Sequence, residues 1–230
     1  MHRTPTPALL VAILLLAVTL VFVPPARAAD SSELRVRRTV ILANLENPWD
    51  LAVAPDGALF FTEKCRGLSV RTPDGTVRHL FGTSGAAVVA DDLLCQGQSG
   101  MLGLALDPAF ADNRLLYLFM ASKLGTEPTN RVVRLRVDAA NATVSGRTDI
   151  VTDIPFKQSF TRWGRAGAHS GGRLRFGPKD GFLYVTTGDN HNGPLPQDLH
   201  RLGGKVLRID RDGRPAPGNT TPSGGDERIF

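Results

Sequence analysis

Three times along this chain a short apolar strand runs into a tight turn and comes straight back. Leu51-Ala52-Val53-Ala54 leads through Pro55-Asp56-Gly57 to Leu59-Phe60-Phe61-Thr62, and Leu68 to Arg71 leads through Pro73-Asp74-Gly75 to Val77 to Phe81. The pattern recurs with Gly100 to Pro108, a longer turn at Ala109 to Asn113, and strands at Leu115 to Ala121 and Arg131 to Val137. A third copy has Arg173 to Phe176, the turn Pro178-Lys179-Asp180-Gly181, a return strand from Phe182 to Thr186, and Lys205 to Asp210 as its third strand. Proline presets φ for such a turn and glycine accepts the positive φ it requires, so the flanking strands become antiparallel neighbours. No stretch of these copies carries a helical period. The chain reads as all-β, and short antiparallel strands repeating at ~40–50 residues with insertions indicate propeller blades, about three of them. A β-sandwich is the competing architecture. The same turn at the same point of each copy favours the propeller.

A propeller sorts its loops between two faces. Connections into the first strand of each blade emerge on one face, together with those between its second and third strands. On that face fall Cys65, Cys95, Gln98, His169, Asp189 and the loop from Asn190 to Asp198. Polar residues of three blades converging on one mouth form the default binding-site hypothesis. His169 precedes the first strand of a hairpin and Asp189 follows the second, so both stand at the same end. A carboxylate within reach of an imidazole fixes its tautomer and favours its protonated form, as a histidine general base requires. The plainer reading is a loop histidine bonded only to backbone or water.

Met1 to Ala28 has the build of a secretory signal: Arg3, an apolar run from Ala8 to Val23, Pro24-Pro25, and the small-residue site Ala26-Arg27-Ala28. Its apolar run is short for a spanning helix, which needs ~20 residues. Residues 29–230 are therefore expected to work in the periplasm or outside the cell, without stable membrane insertion. In that oxidising setting two cysteines suggest one disulfide, Cys65 to Cys95. The formal net charge is +5, and it falls to +3 once Arg3 and Arg27 leave with the leader. The basic residues are scattered apart from Arg35-Val36-Arg37-Arg38, with no basic stripe interleaved with aromatics, so no nucleic-acid partner is expected. Asn141-Ala142-Thr143 and Asn219-Thr220-Thr221 fit the glycosylation pattern, both placed in surface loops.

Five motifs occur in register. They are Pro48-Trp49-Asp50-Leu51-Ala52, Gly97-Gln98-Ser99-Gly100-Met101-Leu102-Gly103, His169-Ser170-Gly171-Gly172-Arg173-Leu174, Thr187-Gly188-Asp189, and Leu202-Gly203-Gly204-Lys205-Val206-Leu207-Arg208-Ile209. In this order and spacing the chain resembles the glucose/sorbosone dehydrogenase family, from about Leu45 onward. The resemblance implies a six-bladed propeller that oxidises the anomeric hydroxyl of an aldose-type sugar, using pyrroloquinoline quinone (PQQ) polarised by calcium and passing electrons to a downstream acceptor. It implies that His169 is the catalytic base, that Asp189 orients it and that Gln98 bonds the substrate. It also implies that the PQQ and calcium ligands lie beyond Phe230, so that this stretch is the N-terminal half of the domain and is not expected to fold or turn over alone. Ala168 stands where the soluble glucose dehydrogenases carry an acidic residue, which removes one expected sugar contact. Two other functions remain open. One is a non-catalytic propeller that binds a ligand or protein on the same face. The other is a calcium-dependent lactonase drawing on Asp189, Asn190, Asn192 and Asp198, although these lack the spacing of a calcium loop.

Overall fold

The computed structural model describes residues 36–159 and 164–230, so the leader lies outside the described residues. Residues 42–230 form one unit; of the other, the described Val36 to Ile41 is exposed and without regular structure. Twelve strands among the described residues make three sheets. The first holds β1 (Pro48–Val53), β2 (Leu59–Glu63), β3 (Gly67–Arg71), β4 (Val77–Gly82) and the two-residue β5 (Val88–Val89). The second holds β6 (Met101–Leu106), β7 (Leu115–Ser122), β8 (Thr129–Val137) and β9 (Val144–Pro155), with one helical turn, α1 (Phe110–Asn113), between β6 and β7. The third holds β10 (Gly171–Phe176), β11 (Leu183–Thr187) and β12 (Val206–Ile209). Each sheet is an antiparallel meander in sequence order, except that β5 lies parallel to β4. The first strands β1, β6 and β10 stand side by side, β6 in the middle, as the inner strands of adjacent blades do.

The strands read from the repeats are present. β9 is an addition, and its register against β8 shifts three times, which disrupts the alternation that marks a strand in sequence. The sequon residue Asn141, expected in a surface loop, is buried and donates from Nδ2 to Asp56.

The middle blade explains its own composition. β7 reads LLYLFMAS and is buried along nearly its whole length, because the sheet has a blade on each face. Leu116, Leu118 and Met120 join Phe60, Leu68 and Leu80 of the first sheet in one core. Tyr117 and Phe119 join Leu174, Leu183 and Val185 of the third sheet in the other. Successive side chains point to opposite faces, so one continuous apolar run serves both cores. Burial pushes the Tyr117 phenol up to about 12. Gly103 of β6 meets Gly172 of β10 so closely that a Cβ at 103 would overlap the Gly172 carbonyl, while a Cβ at 172 would run into the Phe119 ring, so the two motif glycines are required for different reasons.

One carboxylate pins the three inner strands together. Asp50 Oδ2 accepts from the Leu104 N–H at 3.1 Å and from Arg175 Nη1 at 3.0 Å, and Oδ1 accepts from Arg175 Nη2 at 2.9 Å. Arg173 Nη1 reaches Oδ1 at 2.6 Å while its guanidinium lies over the Trp49 ring. The Asp50 side chain is only 3% exposed. Burial pushes its pKa up, but the Arg175 and Leu104 donors more than offset this and hold it below 3.8.

Candidate active site

The third-sheet hairpin sets the geometry. Gly171 pairs with Thr187, so the residues just before β10 and just after β11 share one end. His169 Nδ1 and Asp189 Oδ1 lie 2.8 Å apart. The two side chains are 42% and 38% exposed, so the pair opens to solvent. The hydrogen bond from His169, ahead of other contacts, holds the Asp189 carboxyl below its usual 3.8. Asp189 therefore stays ionised at neutral pH, and its oxygen accepts the proton on Nδ1. The lone pair of His169 then lies on Nε2, for which the described residues provide no hydrogen-bond partner.

The backbone around the pair is unusual. His169, Asn190 and His191 all have positive φ, at 49°, 54° and 52°. Left-handed residues other than glycine persist only where the surroundings over-determine them, and they gather at functional sites. Here the Asn190 N–H donates to the His169 carbonyl at 3.2 Å, and the His191 N–H to Asp189 Oδ1 at 3.0 Å. Farther along the same loop, Lys205 Nζ donates to the Leu195 and Gly203 carbonyls, both at 2.9 Å. The loop after Asp189 is thus tied at both ends.

A second loop braces His169 from the neighbouring blade. Gln98 Oε1 accepts from the His169 N–H at 2.9 Å. Ser99 Oγ donates to the Gly167 carbonyl at 3.1 Å and also meets Ser170 Oγ. Cys65 and Cys95 are paired, joining this loop to the β2–β3 turn with Cα atoms 5.1 Å apart. Gln98 does stand at the site, but its carbonyl oxygen is engaged by the His169 backbone. Its amide N–H groups and the second lone pair of that oxygen remain to face a ligand.

In the sequence His191 is one residue of the polar loop from Asn190 to Asp198. Its ring stacks on that of His169 with centroids 3.4 Å apart and planes at 28°. The sequence signal available was an Asn-His pair directly after Asp189, where asparagine and histidine tolerate left-handed backbone better than most residues. Among the described residues, no group of three or more His, Cys, Asp or Glu side chains, Asp189 and Asp198 included, is gathered so that it could hold an ion. No helix among them is long and apolar enough to cross a membrane.

The chain is 30% identical over 181 residues to aldose sugar dehydrogenase of Escherichia coli (strain K12), covering 76% of this chain and 44% of that protein. It is 27% identical over 233 residues to quinoprotein glucose dehydrogenase B of Acinetobacter calcoaceticus, covering 90% of this chain and 46% of that protein. Its structure matches the PQQ-bound form of aldose sugar dehydrogenase from Streptomyces coelicolor with a TM-score of 0.69 and 30% identity, over 85% of this chain and 53% of that one. The chain thus spans about half the length of these relatives. The model of the family described as Glucose / Sorbosone dehydrogenase matches residues 45–230, and with the propeller sheets and the motif residues in place, the chain belongs to the glucose/sorbosone dehydrogenase family.

Proposed function

We propose that this chain is the part of an exported, PQQ-dependent sugar dehydrogenase that carries the catalytic base, and that His169 is that base. The observation that carries the reading is the 2.8 Å contact between His169 Nδ1 and Asp189, which leaves Nε2 without a hydrogen-bond partner among the described residues, at an exposed position. That donor set fits the proton-accepting side of an alcohol oxidation. When bound, PQQ supplies the oxidant that takes up the hydride leaving the anomeric carbon. His169 Nε2 accepts the proton of the anomeric hydroxyl. Asp189 stabilises the imidazolium so formed and holds its tautomer. In this reading the amide N–H groups of Gln98 donate to a sugar oxygen, while its carbonyl oxygen accepts from the His169 N–H. The sugar is an aldose other than one that needs an acidic contact at position 168, since Ala168 is there and is buried. No residue of the described part is assigned to calcium. The two cations of β10, Arg173 and Arg175, are engaged by Asp50 rather than offered to the carboxylates of the cofactor. Export follows from the leader, with cleavage after Ala28, and the electrons pass on to a downstream acceptor.

The test uses the full-length gene product reconstituted with PQQ and calcium, with dye reduction measured over a panel of aldoses. His169→Ala should lower kcat by about 10²–10⁴-fold while PQQ binding persists. A folded protein that binds no PQQ would instead favour a non-catalytic ligand-binding propeller.

A further inference from the structure

His191 touches both members of the catalytic pair. Its backbone N–H donates to Asp189 Oδ1, the same oxygen that meets His169 Nδ1. Its ring covers a face of the His169 ring at 3.4 Å. Gly164 allows the ring to lie there: a Cβ at 164 would come within 2.5 Å of His191 Cδ2. The stack therefore has backing from the loop that leads into His169, as well as from the loop that follows Asp189. An imidazole held by a single hydrogen bond at Nδ1 can still rock about its Cβ–Cγ bond, because that torsion is broad. A ring packed flat against it removes that freedom and keeps Nε2 facing one way.

We propose that His191 is a positioning residue for His169, acting through its stacked ring rather than by contact with the sugar or the cofactor. This rests on the reading of His169 as the base. Removing the stack widens the range of directions in which Nε2 points, and a misplacement of about 1 Å can cost up to about 10²-fold in rate. The loss should fall on kcat, with KM for the sugar little changed, because the hydroxyl and the rest of the sugar are bound by other groups.

Two substitutions separate the ring from the backbone. His191→Asn keeps a residue that tolerates left-handed φ but removes the ring. His191→Phe keeps a flat ring and places a bulkier residue in that strained backbone. If the ring matters, Asn should lose most of the activity, up to about 10²-fold in kcat, and Phe should retain most of it. A second readout needs no cofactor. In the apo form of the full protein, diethyl pyrocarbonate should modify His169 faster in the Asn variant than in wild type, and at the wild-type rate in the Phe variant, as read by peptide mass. Gly164→Ala, which pushes the ring aside, should behave as Asn does. An Asn variant with wild-type kcat and wild-type modification rate would overturn the proposal, and so would a Phe variant worse than Asn. Retention of activity by His169→Ala would instead remove the reading beneath it, so the two failures are distinguishable.

Discussion

Asp50 and Asp189 are both aspartates that hold basic side chains near the inner strands, yet their surroundings differ in kind. Asp50 is 3% exposed and accepts from Arg173, Arg175 and the Leu104 N–H, which come from two other strands far from it in sequence. Its acceptor capacity is filled and none of its partners is free for chemistry. Asp189 is 38% exposed and among the described residues meets one side-chain partner, His169, whose far nitrogen has no partner among them. The first arrangement closes a hydrogen-bond network, and the second leaves one open position in it. A satisfied buried network fixes structure, whereas an incompletely satisfied one facing solvent is able to exchange a proton.

The contrast predicts opposite responses to removing each carboxylate. Asp50→Ala leaves the Leu104 N–H buried without its acceptor and unties three strands, although the two arginines can turn to solvent. Stability should fall by about 3 kcal/mol, seen in the denaturation midpoint, while kcat measured below the melting temperature stays near wild type. Asp189→Asn should do the reverse. It should lower kcat on the order of 10²-fold, because Asn no longer favours the imidazolium, with the melting temperature little moved. A large activity loss in Asp50→Ala at full folding would mean that the clamp reaches into the chemistry.

Acid provides the smallest and finest comparison. Both carboxyls titrate below 3.8 in the folded chain, Asp50 because Arg175 overrides its burial and Asp189 because of His169. A depressed folded-state pKa contributes stability that is complete above the unfolded value and lost as pH falls through the folded one. Unfolding midpoints should therefore drop below pH 3.8. The slope there should flatten in Asp50→Asn and stay nearly unchanged in Asp189→Asn, since the second carboxylate is solvated.

Much of the site could be read in the sequence because its key relation is local. His169 and Asp189 flank one hairpin, and hairpin pairing fixes which residues share an end. The turn at Pro178 to Gly181 sets the register from Leu174 to Phe176, and an irregularity between Gly171 and Leu174 shifts it by one at the end where the pair stands. Other features were hidden for opposite reasons. β9 shifts register three times, so its alternation is broken where a pattern is sought. The engagement of the Gln98 oxygen by the His169 N–H joins residues 71 apart, and the Asp50–Arg175 pair joins residues 125 apart. Neither leaves a periodic trace.

Periodicity and turn residues, which act over a few positions, were enough by themselves to determine strands, hairpins, the all-β class and the placement of His169 and Asp189 at one end of a hairpin. Only the tertiary structure decided that Asp50 closes three strands, that Gln98 supports a backbone as well as facing a ligand, and that His191 lies flat on His169. Those relations depend on how closely separate blades and loops approach, and that distance is set by packing of the cores and by glycines such as Gly103 and Gly164, which leave room where a side chain would not fit.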